Sequence, residues 1–495
     1  MISKEFIIKN WFIIAIASIL LFSAVLRFYN YENRWGLAYD QAYSALVARY
    51  ALDAGALPLV GPFSSAGPMQ TGGEWYWFVM LGVIPYQGSV MTPWIFLTTT
   101  YLLFVLIIIL LGKELISKKF GILLGILSLI STAQIAQSVS LTNQSPLALI
   151  SLIAIWGMVK YVKTEKIIFL FIMGFAVSLA ISFHLQGVAL LALVISTLIL
   201  GRVGMRGILS TLTGLFIPMI PLLLFDIKNN FVNSRSMIQY YLHDQYKISL
   251  DVLGRNWRTY AGIFWPNAWT HIVGGKSILG YLIISALALT TIYKFFKREI
   301  NKEWQIIITS FIGMVTLLRY VRTPLYDSYV VFLHPFVFLL TGWVILLLYK
   351  RNRIIGFSLF TLIVVFSLLK DIDEINYNKT NMAADEGSVY LKLLTDKYPN
   401  QKFSVYAHRY EVADKNLILS LFLDSKNLID EEGMGVGVVY GTESATMLYP
   451  SIYGEVPGLR MLDLSSSRAS ELKNSEWVNV NPRQIYTVTE EWYTK

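Results

Sequence analysis

The chain has no cysteine and very few charges. The first absence excludes disulfides, thiolate nucleophiles and cysteine-bound zinc. The second excludes more. Only 15% of the 495 residues are Asp, Glu, Lys or Arg, against roughly 25% in ordinary soluble domains, and 55% are hydrophobic. Mean hydropathy is +0.54. These values are incompatible with a disordered chain, a collagen, a coiled coil or a cytosolic enzyme, and they require a lipid-embedded body. Familiar chemical signatures are missing too. There is no HExxH metal spacing and no GxSxG elbow. The run GMGVGVVYG has neither the spacing nor the following helix of a nucleotide-binding loop.

What charge there is falls unevenly. The net +9 divides into +15 over residues 1–369 and −6 over 370–495. A bilayer core needs about 20 apolar residues per helix. Eleven stretches qualify, near 11–28, 93–111, 120–137, 146–162, 167–183, 185–200, 207–225, 277–293, 304–320, 328–349 and 354–369. The first has no small-residue cleavage site behind it and reads as an uncleaved anchor. With a cytoplasmic N-terminus, 17 of the 41 Lys and Arg fall in inside segments, and the short loop 138–145 on the other face has none. This is the positive-inside pattern, which explains the basic excess without a nucleic-acid partner. It holds only if residues 75–85, WYWFVMLGVIP, lie flat at the outer interface, as their length and Trp/Tyr content suggest.

The expected architecture is therefore mainly α. It is a polytopic membrane protein of about eleven transmembrane helices plus interfacial helices, with outer loops 29–92 and 226–276. Loops longer than about 12–15 residues are usually functional or disordered, and these two are rich in aromatics. Residues 370–495 read as a small extracytoplasmic α/β domain. Helices are expected at 385–398 and 414–425, and strands at 402–408, 435–440 and near 477–480.

Charge near a bilayer is costly and marks function. Before the tail, eight acids face outward: Glu32, Asp40, Asp53, Glu74, Asp226, Asp244, Asp251 and Asp327. Asp40 opens the segment DQAYSALVARYALDAG, in which Tyr43, Leu46, Val47, Tyr50, Ala51 and Ala54 form an apolar stripe at helical spacing. The pattern predicts an amphipathic helix lying on the membrane with Asp40 at its start, either as an N-cap or as a chemical group. Glu74 precedes the interfacial aromatic stretch, where it could favour a helix start or help frame a site with Asp40. The loop 226–276 supplies cations suited to phosphate, notably Arg255, Arg258 and His271. His184 falls between two spans at the outer surface, and His334 inside a span reads as a packing hydrogen-bonder.

Several segments resemble one family in their order along the chain. Leu26-Arg27-Phe28-Tyr29 is followed by Tyr39-Asp40-Gln41-Ala42-Tyr43, then Leu57-Pro58-Leu59-Val60-Gly61-Pro62, then Gly73-Glu74-Trp75-Tyr76-Trp77. The order is similar to that of family 39 glycosyltransferases of the GT-C fold, which include protein O-mannosyltransferases and the aminoarabinose transferase of lipid A. Supporting segments are Ser140–Pro146, Pro221–Arg235 and Arg319–Leu333. The resemblance covers roughly 1–370.

The resemblance implies transfer of a sugar, with inversion, from a polyprenyl-phosphate donor to a glycan, lipid or protein acceptor on the extracytoplasmic face of the cell membrane. Asp40 matches the family's catalytic Asp and would act as general base. Its usual Glu neighbour is Gln41 here. Glu74 resembles by position a metal-contacting Glu, so a divalent metal ion is one possibility and no cofactor the other. The Lys that follows that Glu in the aminoarabinose transferase is Trp75 here, which leaves the donor phosphate to Arg255, Arg258 or His271. Tyr43, Asn143, Gln144, His184 and Arg322 complete the candidate site. Rival readings are a lipid-linked glycan transporter or flippase, a polymerase, ligase or oligosaccharyltransferase, and a non-catalytic binder of lipid-linked sugar.

Overall fold

The computed structural model describes residues 4–64, 69–243, 257–320, 327–376, 382–408, 413–440, 451–453, 459–464 and 477–491. The chain begins with α1 (Lys4–Phe28) and α2 (Tyr39–Asp53). An antiparallel pair, β1 (Val60–Phe63) and β2 (Gln70–Gly72), leads to α3 (Glu74–Val83). The body continues with α4 (Thr92–Leu115), α5 (Lys118–Leu129), α6 (Thr132–Ser138), α7 (Leu147–Thr164), α8 (Ile168–Phe183) and α9 (Leu191–Leu200). Next come α10 (Met205–Phe216), α11 (Ile220–Lys228), α12 (Val232–His243), α13 (Trp257–Thr259) and α14 (Trp265–Val273). Helices α15 (Ser277–Phe296), α16 (Lys302–Arg319), α17 (His334–Arg351) and α18 (Arg353–Asn376) complete it.

Every apolar stretch expected to span is helical, but they are not equivalent. Among the described residues, seven helices are long and apolar enough to cross a membrane, or eight with the bent α5–α6 pair taken as one. Eleven were expected, and each difference has a local cause. α5 and α6 turn by 61° at Ile130-Ser131, where Ser131 goes extended and caps α6 through the Gln134 amide, 3.2 Å. The break frees the last carbonyls of α5, and the Arg27 guanidinium takes up those of Ser128 and Leu129 at 3.3 and 3.4 Å. α8 has 16 residues, a rise of about 24 Å against a hydrocarbon core of about 30 Å. The 185–200 segment starts as a 3₁₀ turn, and α16 carries Lys302, Glu303 and Arg319 in its 18 residues. α3 has 10 residues, about 15 Å, and does not cross.

The span Ser328–Arg351, α17 with the 3₁₀ turn before it, occupies the centre of the bundle, with 89% of its apolar window inside, whereas α15 keeps only 17% inside and α18 22%. α15 and α18 are therefore peripheral, lipid-facing helices. α18 also runs on to Asn376, past the expected limit at 369.

The C-terminal unit comprises α19 (Met382–Lys397), β3 (Phe403–His408), α20 (Ala413–Asp424), β4 (Met434–Tyr440), β5 (Ser451–Tyr453), β6 (Leu459–Asp463), β7 (Trp477–Asn479) and α21 (Pro482–Glu491). Its sheet order is β5-β6-β4-β3-β7. β3 and β4 are parallel across the α20 crossover, and the other pairs are antiparallel. The strands and helices expected from the tail sequence are all present.

One expectation is corrected. α2 is not amphipathic along a single apolar stripe. Ala42, Ser44, Ala45, Leu46, Val47, Ala48, Arg49 and Ala51 are all buried, so the helix is covered on several faces. α3 packs on one side and α20 and α21 on another. The small residues that blurred the stripe are those that let neighbouring helices approach closely.

Candidate functional site

Asp40 stands in the first turn of α2, at its second residue; the N-cap position is Ala38. It is thus not the cap that the pattern allowed. Its side chain is exposed and makes no hydrogen bond to any described residue. A carboxylate here is favoured by the helix dipole. Protein backs it on one side, and that desolvation pushes its pKa above the ordinary carboxylate value.

Contacts across long stretches of chain hold this helix start. The Gly36 amide donates to Val139 O, 2.9 Å, and Trp94 Nε1 donates to Gly36 O, 2.7 Å. These fasten the segment before Asp40 to the loop at 138–145 and to α4. Trp75 Nε1 donates to Ser44 Oγ, 3.1 Å, which joins the residue after Glu74 to the turn after Asp40. Trp75 is buried and packs edge-on against Phe183 at 5.9 Å. The aromatic that replaces a lysine in the resembled sequence therefore pins α2 to α3 and α8. Tyr43 is held too: its hydroxyl donates to Ile485 O, 3.5 Å, in the C-terminal unit. Arg49 pairs with Asp424, and the Tyr50 ring sits 5.2 Å from Tyr486. The C-terminal unit thus holds the helix that carries Asp40.

Glu74 is buried, 6% exposed, at the start of α3. The Ser182 hydroxyl donates to its Oε2, while Oε1 is buried without a partner. Burial pushes the Glu74 pKa up, and the Ser182 hydrogen bond opposes the rise. The pair fits only because residue 72 lacks a side chain. A Cβ there would stand 1.9 Å from Ser182 Oγ and 2.3 Å from Glu74 Oε2. Asn143 Nδ2 donates to Phe183 O, 2.8 Å, and His184 follows directly. His184 Nδ1 accepts the Gln186 amide at 3.4 Å, and its ring lies 5.5 Å from Tyr329. Burial pushes the His184 pKa down to about 4, so the imidazole is neutral at physiological pH. Gln144 is half-buried in the same loop, its carbonyl accepting the Leu147 amide at 3.0 Å. Glu74, Asn143, Ser182 and His184 therefore meet at one place beside α2. Ser182 gave no sequence signal, because its meaning depends on a partner 108 residues away.

Other expected residues go elsewhere. Asp226 is committed to structure: its carboxylate accepts the amides of Asn233 and Ser234, 2.8 and 3.0 Å, and the Ser234 hydroxyl. Asn233 then clamps Gln70 of β2 through both amide atoms. His334 is buried and shares a 2.5 Å contact with Gln134, the packing role expected of it. His271 sits on α14 in a separate pocket, where Lys370 donates to its Nδ1 at 3.3 Å. Arg258 is exposed on α13, next to Thr259, which lines that pocket. Arg255, Arg322, Asp244 and Asp251 lie outside the described residues. Among the described residues, no group of three His, Asp or Glu could hold a metal ion. Glu74 Oε1 is one unpartnered ligand atom without a completed set around it among the described residues.

No protein-family model and no curated protein matches the chain. Solved structures do. ArnT from Cupriavidus metallidurans in the apo state aligns with a TM-score of 0.62 at 11% identity, over 92% of this chain and 98% of that one. The same protein bound to undecaprenyl phosphate aligns with a TM-score of 0.60 at 11% identity, over 93% and 99%. At that identity the likeness establishes architecture, and over almost the whole of both chains this protein has the GT-C membrane fold.

Proposed function

We propose that the chain is a membrane glycosyltransferase that moves a sugar from a polyprenyl-phosphate donor to a hydroxyl acceptor at the membrane surface, with inversion. The observation that carries this reading is the Asp40 carboxylate. It is exposed and unengaged among the described residues, on a helix pinned by α3, α4 and the C-terminal unit. The undecaprenyl-phosphate complex of ArnT supports a lipid-linked donor.

In this reading Asp40 accepts the proton of the acceptor hydroxyl as its oxygen bonds to the anomeric carbon. The bond from that carbon to the phosphate oxygen breaks on the opposite face. The departing polyprenyl phosphate needs cations against its developing charge, for which we assign Arg255 and Arg258, with His271 as a hydrogen-bond donor through Nε2 because its Nδ1 accepts from Lys370. Glu74, Ser182, Asn143 and His184 shape the neighbouring wall with fixed acceptors and donors. The acceptor is a glycan, lipid or protein on the extracytoplasmic side, with the N-terminus in the cytoplasm. Before the tail, the acids among the described residues fall in loops and near helix ends and not in the middle of the long apolar helices, which favours surface chemistry over transport.

The test uses the purified full chain in proteoliposomes with a panel of polyprenyl-phospho-sugars. Asp40→Asn should lower transfer by about 10²–10⁴-fold while the thermal shift caused by the donor persists. Full transfer by Asp40→Asn would overturn the assignment.

A further inference from the structure

A pocket of about 730 Å³ opens where α14, α15 and α18 meet, and only His271 of it enters the reading above. Its construction follows from two glycines. Gly274 and Gly275 end α14 with φ of +92° and +113°, a conformation closed to other residues at ordinary cost. A Cβ on Gly274 would stand 1.5 Å from Ser367 Oγ, so the bare turn lets α18 press against the end of α14. Ser367 Oγ donates to Val273 O, 3.1 Å, and locks the contact.

That contact brings two lysines 94 positions apart to one pocket. Lys370 stands one turn beyond Ser367 and reaches His271. Lys276 lies over the Phe366 ring of α18, 5.8 Å from its centre. Both line the pocket, with Ser277 beside them. Neither forms an ion pair with a carboxylate among the described residues. The acids that follow on α18 are Asp371, Asp373 and Glu374; Asp373 forms no salt bridge among the described residues, and the other two interact with the α1 end of the bundle. Asp371 accepts from Thr132 and feels Arg27 first and Lys370 after it, without a salt bridge to the lysine, and Glu374 is felt by Arg34. Two ammonium groups thus share one opening with the first turn of α15, a 20-residue helix whose leading amides lack intrahelical partners. Ile263 and Phe264 supply an apolar wall. Below the opening, α15 and α18 present exposed apolar side chains outward, among them Ile278, Leu282, Val365 and Leu369. The Lys/Arg-rich turns, Lys294–Arg298 and Lys350–Arg353, lie at the opposite ends of the same helices.

We propose that this pocket holds the phosphate group of a lipid, with Lys276 and Lys370 as its counter-ions and the lipid chain lying along α15 and α18. Cation pair, helix start, apolar wall and lipid-facing track coincide at one level of the bundle. The ligand chemistry is a phosphate on a long apolar chain, supplied by either a polyprenyl phosphate or a bilayer phospholipid. The first source would make the pocket a docking station for the donor carrier and extends the assignment of His271 made above. The second would make it an annular lipid site.

The experiment reads binding without turnover. The full chain in neutral detergent is titrated with undecaprenyl phosphate, phosphatidylglycerol, undecaprenol and diacylglycerol, and bound lipid is counted by native mass spectrometry. One or both phosphate-bearing lipids should bind, and the uncharged pair should not. Lys276→Gln with Lys370→Gln should weaken phosphate-lipid binding roughly tenfold or more, and the corresponding Arg double variant should restore it. Thermal unfolding of each variant reports its folding. Asp40→Asn should bind as wild type, so failure here is distinguishable from failure of the transfer reading. Binding of undecaprenyl phosphate alone identifies the carrier site, and binding of phosphatidylglycerol alone the annular site. Equal binding of charged and uncharged lipids, or unchanged binding by the Gln double variant, would overturn the proposal.

Discussion

The Arg49–Asp424 pair offers a demanding test of how α2 is held. The two side chains are 8% and 17% exposed and lie 375 positions apart, one on α2 and the other at the end of α20. Removing one partner of a buried pair leaves an uncompensated charge and costs about 3–5 kcal/mol. Asp424 keeps some access to water, so we expect the lower end, about 3 kcal/mol, for Arg49→Met. The direction of the Asp424 pKa adds a second expectation. Burial raises it and Arg49 lowers it, with burial the larger effect. Burying the pair therefore costs more than the attraction returns, and Arg49→Met with Asp424→Leu should be close to neutral. Because the folded pKa is raised, Asp424 contributes no stability that is lost on acidification. Its contribution is least unfavourable below its unfolded pKa and worsens as pH rises toward the folded one. The assay is a double-mutant cycle on unfolding midpoints in detergent, measured by near-ultraviolet circular dichroism. An Arg49→Met protein as stable as wild type would refute the reasoning, as would a double variant no better than the single.

Other expected outcomes concern the site itself. Gly72→Ala should destabilise by about 1–3 kcal/mol and lower activity, because its Cβ collides with Ser182 and Glu74; unaltered melting would contradict the geometry. Ser182→Ala removes the partner of a buried carboxylate and should cost about 1–3 kcal/mol at neutral pH, with the deficit shrinking once Glu74 is protonated, as a thermal melt series across pH would show. Asp226→Ala strips the start of α12 of its acceptors and should cost about 2 kcal/mol without changing the pH profile of transfer. If Asp40 is the base, kcat/KM should fall on acidification through a pKa above the ordinary carboxylate value, since burial favours its protonated form; an acid limb at or below that value would count against it.

Much of this protein was legible before folding. The apolar runs, the lysine-rich turns and the aromatic stretch after Glu74 specify a membrane body, because transfer of side chains into lipid depends on local composition. The helix that begins at Asp40 and the alternating tail were likewise visible through local periodicity. Helix lengths and the break at Ser131 were not, since they depend on which carbonyls find partners such as Arg27. Nor does residue type show which acids are engaged. Asp40 and Asp226 look alike as outward carboxylates, yet one is unengaged among the described residues and the other is consumed by the turn into α12. Glu74 acquires its meaning from Ser182, and Lys276 from Lys370 across the bare Gly274 turn. The sequence by itself determined where the chain meets lipid, because hydrophobicity is carried residue by residue. Only the tertiary structure decided which polar groups are left to act, because a hydrogen bond or a charge is satisfied by whatever the packing brings beside it.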